Sequence, residues 1–128
     1  PTEWTNLQSL KELHLQNNKI QGPLPDCLGD MPQLTELVLD HNAITGPIPA
    51  ALGGSSKLES VYLDHNQLMG GVPPELSALV ELTTIRLEEN ALTGQMPADV
   101  CGLTTAHNLN YLSVDCNEEV ESACCTCF

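Results

Sequence analysis

Apolar residues in this chain return at a fixed interval. From Leu34 to Pro49 the order is L-x-x-L-x-L-x-x-N-x-I-x-G-x-I-P, and the same order recurs at a step of 24 residues on either side. Leu13, Leu37, Val61 and Ile85 fall in one column; Leu15, Leu39, Leu63 and Leu87 fall in the next. Asn18, Asn42, Asn66 and Asn90 share a third, and Gly22, Gly46, Gly70 and Gly94 precede Pro25, Pro49, Pro73 and Pro97 at constant spacing. A period of this length marks a stacked solenoid, in which each coil buries its apolar face only against its neighbours. The alternating Leu-x-Leu predicts strands over Leu10–Asn18, Leu34–Asn42, Leu58–Asn66 and Leu82–Asn90, one per coil, in a parallel sheet. An Asn amide buried without partners costs several kcal/mol, so the stacked Asn side chains are expected to bond the backbone of adjacent coils. Proline in the return stretch forbids helix there, leaving Asp26–Gly29 and Ala50–Gly53 room for a turn or one coil of 3-10 helix.

The two ends break the pattern. Pro1 sits where Pro25 sits one coil later, so the chain opens midway through a repeat, with Trp4 in the column of Leu28 and Leu52 and Leu7 in that of Met31. An opening of that kind exposes the core, and the expectation is that further coils or a cap precede Pro1, or that a partner covers the end. At the other end Leu109, Leu112, Val114 and Asn117 restore the pattern after a step of 27 rather than 24, with the surplus in Gly102–Asn108. An atypical final repeat reads as a cap.

Of the six cysteines, Cys101, Cys116, Cys124, Cys125 and Cys127 crowd into this end. They are read as disulfide candidates that staple the cap, at a few kcal/mol per closed loop, in an oxidising compartment. Cys27 lies three coils from Cys101. With coils about 4.8 Å apart that exceeds the roughly 7 Å reach of a disulfide. Five cap cysteines cannot all pair among themselves, so one stays unpaired, or a partner cysteine lies past the end of the chain, or Cys27 bonds another molecule. Cys124-x-x-Cys127 as a redox pair, or with Cys101 and Cys116 as a zinc cage, is the weaker reading.

Charge narrows the functional classes. Seventeen acidic residues against Lys11, Lys19, Lys57 and Arg86 give a net charge of −13, which excludes a phosphate-binding basic face and disfavours anionic lipid. A core with 41% hydrophobic but 3% aromatic residues has to be built from Leu, Ile and Val. No apolar run reaches the roughly 20 residues that span a bilayer. There is no N-x-S/T glycosylation site, and the absence of a leading Met points to processing or truncation.

The pattern L-x-x-L-x-x-L-x-L-x-x-N-x-L-x-G-x-I-P-x-x-L-G resembles the plant-type leucine-rich repeat, which Asp30 to Gly53 follows almost position by position. The tail, Val114-Asp115-Cys116 and Ala123-Cys124-Cys125-Thr126-Cys127 with Val100-Cys101-Gly102-Leu103 before it, is similar to the C-terminal caps of secreted repeat proteins of diatoms and related algae, which often continue with more cysteines after Cys-Cys-Thr. The resemblance implies protein recognition on a concave sheet and no catalysis in the repeats.

Outward strand positions line up across coils. One column runs Gln16, Asp40, Asp64, Glu88 and Asp115; beside it run Asn17, His41, His65, Glu89 and Cys116, then His14, Val38, Tyr62, Arg86 and Ser113. Stacked carboxylates repel, and a Lys/Arg-rich partner or a cation would relieve them. Asp40, His41, Tyr62, Asp64, His65, Arg86, Glu88 and Glu89 are therefore the candidate contact patch; the plainer account is a solvated face that keeps the solenoid soluble. Asp40-His41 and Asp64-His65 are weighed as metal ligands, with calcium preferred to zinc, and set aside because side chains adjacent in sequence diverge. No catalytic motif appears.

The resulting expectation is an α/β leucine-rich repeat right-handed solenoid: parallel concave β-sheet, 3-10 or irregular convex side, repeats over 1–114 and a disulfide C-terminal cap over 115–128. It is expected to be no enzyme, to need no cofactor or metal, to insert in no membrane and to bind no nucleic acid. Its expected role is binding a protein partner with a basic patch, in a secreted or other oxidising space such as the thylakoid lumen. The alternatives are a permanent subunit of a larger assembly and an inhibitor of a secreted hydrolase.

Overall fold

The computed structural model describes residues 7–115 and the short strand Thr126–Cys127. The expectations for Pro1, Trp4, Cys116, Asn117, Cys124 and Cys125 lie outside the described residues, as does the side chain of Cys127.

Each coil runs strand, second strand, 3-10 turn. The first strands are β1 (Glu12–His14), β3 (Glu36–Val38), β5 (Ser60–Tyr62), β7 (Thr84–Arg86) and β9 (Tyr111–Val114), followed by β10 (Thr126–Cys127), and they form one six-stranded parallel sheet in that order. Register follows the repeat: Leu13 opposes Leu37, Leu37 opposes Val61, Val61 opposes Ile85, and Ile85 opposes Leu112. The surplus residues of the last repeat therefore leave the ladder in phase. They are taken up by two single-turn helices, α1 (Ala98–Cys101) and α2 (Leu103–Ala106), whose Val100 and Leu103 fill the core.

Two features differ from the sequence expectation. The strands span three or four residues rather than nine, although bonds between coils run on past them, as from the Leu39 N–H to the Tyr62 carbonyl. A second parallel sheet also runs through the returns, made of β2 (Gln21–Pro23), β4 (Ala43–Gly46), β6 (Gln67–Gly70) and β8 (Ala91–Leu92). Segments of two to four residues are too short for any period to reveal.

Beyond each return the 3-10 turns Asp26–Asp30, Ala50–Gly54 and Pro74–Ala78 stack on one another. Each starts directly after a proline, whose φ of −76°, −71° or −70° sets the chain's direction into the turn. Between turns and sheet, Leu28, Leu34, Leu37, Leu39 and Ile44 of a single coil are at most 1% exposed. Burying each contributes up to about 2 kcal/mol.

The asparagine column closes the coils as expected. Asn66 Nδ2 donates to the carbonyls of Leu39, Leu63 and Asp64, while its Oδ1 accepts from the Ile44 N–H. Asn42 and Asn90 repeat the arrangement one coil away. Beyond Asn90 the acceptor is Asp115, whose two carboxylate oxygens take the N–H groups of Glu89 and Asn90.

Candidate partner-binding face

Outward side chains of the six-stranded sheet are held by the strands, and those beside it by the turn that follows each strand. At that turn Asn17, His41, His65 and Glu89 all adopt a left-handed backbone, with φ between 55° and 57°. Non-glycine residues seldom do so, and here the same position in every coil requires it. The consequence overturns one sequence argument. His41 and Asp40 do not diverge: the left-handed turn brings the ring back, and His41 Nδ1 lies 2.8 Å from Asp40 Oδ2. His65 and Asp64 repeat the pair at 2.9 Å. Stacking of coils then lays the two imidazoles face to face, with centroids 4.1 Å apart and planes 10° from parallel.

The carboxylate column needs a second correction. Non-leucine positions were all expected to face solvent, yet Asp64 is 1% exposed and Glu88 6%. Their repulsion is relieved inside the chain. Arg86 donates through Nε and Nη2 to Glu88 Oε1, at 3.0 and 2.7 Å. Ser113, itself buried, donates its hydroxyl to Glu88 Oε2. The guanidinium also lies over the Tyr62 ring at 5.8 Å and 3.8 Å from Asp64 Oδ1. Asp115, placed in the same column, is occupied by backbone N–H groups. Of the eight residues singled out, His41, His65 and Glu89 are exposed, Asp40, Tyr62 and Arg86 half-buried, and Asp64 and Glu88 buried. His14 Nε2 lies 3.2 Å from Glu36 Oε2, a contact between β1 and β3 that the sequence reading had not singled out.

Burial pushes the Glu88 carboxyl up, but the bonds from Ser113 and Arg86 outweigh it and hold the group below its ordinary value. Arg86 is raised, chiefly by the same bond. A depressed carboxyl stabilises the fold above its unfolded-state value, and that contribution is lost as pH falls through the folded-state value. Arg86→Met is thus expected to destabilise the fold by about 2 kcal/mol at neutral pH. That is less than the loss for a fully buried pair, because the guanidinium stays partly solvated. The deficit should shrink on acidification below the ordinary carboxylate range; urea titrations at pH 7 and in acid, showing one and the same deficit, would contradict this.

Two family models, each described as leucine rich repeat, match residues 2–44 and residues 57–79. Curated protein sequences give no match. Among solved structures, a plant peptide hormone receptor, RGFR1, in complex with RGF2, is 36% identical with a TM-score of 0.82, over 90% of this chain and 18% of the receptor chain. The ectodomain of the Arabidopsis thaliana receptor kinase GASSHO1/SCHENGEN3, in complex with Casparian strip integrity factor 2, is 32% identical with a TM-score of 0.82, over 91% of this chain and 14% of that one. The SOBIR1 ectodomain from Arabidopsis thaliana is 29% identical with a TM-score of 0.82, over 92% and 62%. The chain thus spans less than a fifth of the first two structures it matches.

Proposed function

Since this chain belongs to the leucine-rich repeat family, and to its plant type, we propose that it is a non-catalytic interaction module. It engages a protein partner with a basic patch through the outward face of the six-stranded sheet. The observation that carries this reading is the state of the charges on that face. Its cation, Arg86, is occupied by Glu88 and Asp64, while Glu12 and Glu89 stay exposed, with no Lys or Arg paired to them among the described residues. Around them stand Tyr62 and the imidazoles of His41 and His65, an amphipathic surface of the kind that anchors partners. The neighbours add support, since RGFR1 is solved in complex with RGF2 and GASSHO1/SCHENGEN3 with Casparian strip integrity factor 2.

The proposed setting is extracellular or another oxidising lumen. The ectodomain neighbours favour it, as does Cys101, which is disulfide-bonded. A disulfide-stapled cap over 115–128 is part of the same proposal.

The test is the native complex under salt. Raising ionic strength from low to moderate is expected to weaken association at least tenfold, and Glu12→Lys with Glu89→Lys to do the same at fixed salt. Association indifferent to salt and to both changes would instead identify a permanently buried subunit.

A further inference from the structure

From the stacked histidines we infer a site for one divalent transition-metal ion, of the zinc, nickel or copper class, held by His41, His65 and Asp64. One nitrogen from each ring and one Asp64 carboxylate oxygen lie within 4.8 Å of one another. Donors sharing a tetrahedral ion at about 2.0–2.2 Å each are roughly 3.4 Å apart, so ligation needs an ångström of movement from rings that are 41% and 46% exposed. In the parallel stack the lone pairs run side by side, and ligation tilts the rings toward each other.

Two further observations point to a cation. Each ring is anchored through Nδ1 to a carboxylate, His41 to Asp40 and His65 to Asp64. The His65 nitrogen beside Asp64 is therefore Nδ1, whose 2.9 Å spacing from Oδ2 is near that of two donors on one ion, and an ion bound there replaces the proton that the pair shares. The second observation is Asp64 Oδ1, a buried oxygen with no hydrogen-bond partner. Arg86 Nε, at 3.8 Å, is too far to donate to it. A buried carboxylate oxygen with an ion pair at 3.8 Å but no hydrogen bond keeps part of its desolvation cost, and a second cation on the same carboxylate lowers it. Two imidazoles select a borderline transition ion over calcium or magnesium, which reverses the preference drawn from the carboxylates in the sequence. The remaining positions on such an ion face solvent.

This site does not depend on partner binding, and the metal alone is the probe. Full-length protein stripped of metal and titrated calorimetrically with Zn2+ and with Ni2+ is expected to bind one equivalent with micromolar affinity. Nickel is expected to broaden the imidazole NMR signals of His41 and His65 before those of His14 and His107. His41→Asn and His65→Asn, which suit the left-handed backbone, should each lower affinity at least tenfold, with the far-ultraviolet circular dichroism unchanged. No binding at millimolar metal, or binding that survives His41→Asn with His65→Asn, would overturn the assignment; so would broadening that begins at His14, where Glu12 and Glu36 form a rival cluster.

Discussion

Asn66→Ala is expected to destabilise the protein by about 4 kcal/mol, the largest loss anticipated for any single polar side chain. The amide holds three carbonyls and one N–H at 3.0 to 3.2 Å, from two coils, and is 9% exposed. Alanine leaves those backbone groups without partners where water barely reaches, at about 1–3 kcal/mol for each one fully stranded. Partial rescue by water brings the sum down to the stated figure. Asn18→Ala is the internal comparison: Asn18 occupies the same column but is exposed, and among the described residues its Nδ2 bonds the carbonyls of Leu15 and Gln16. Its loss should stay below about 1 kcal/mol. Urea denaturation of both variants reads the difference directly, and equal losses would show that the asparagine column does not work by burial of backbone groups.

Gly29→Ala should cost about 3 kcal/mol, for a steric reason. A Cβ on Gly29 would lie 1.8 Å from the Ala51 carbonyl oxygen and 2.6 Å from its carbon. Both atoms are backbone of the next 3-10 turn, so no rotamer change relieves the overlap and the two turns must separate. Separating them opens the leucine layer beneath, the upper range of overpacking costs. Gly71→Ala supplies the control, because its nearest neighbour is the Thr93 oxygen at 3.7 Å; it should melt within a few degrees of the parent. A thermal melt in which both variants coincide would mean that the coils tolerate wider spacing than the structure requires.

Much of the architecture was legible along the chain, and the reason lies in repetition. Leu37 has to oppose Val61, and Asn42 has to sit like Asn66, because a solenoid coil meets only its neighbours and equivalent residues therefore meet one another. The 3-10 turns were readable too, since proline sets φ before each of them. The second sheet was not readable. Ala43–Gly46 pairs with Gln67–Gly70 at two positions, Thr45 with Gln67 and Gly46 with Leu68, and segments so short carry no alternation.

The candidate face shows the same division more sharply. Sequence alone placed His41 beside His65 and Asp64 beside Glu88 in their columns, because column membership is arithmetic. Direction was another matter. A left-handed φ at His41 and His65 turned each ring back onto its own aspartate, and histidine's enrichment in that region is too weak to locate such a turn from sequence. Arg86 reaching sideways to Glu88, with Ser113 behind it, put two carboxylates under cover that alternation had assigned to solvent. The repeat thus determined the fold, the core and which residues would be neighbours. Tertiary structure decided which of those neighbours face outward, because the orientation of a side chain at a turn depends on backbone angles and charge partners set by adjacent coils rather than by the residues on either side.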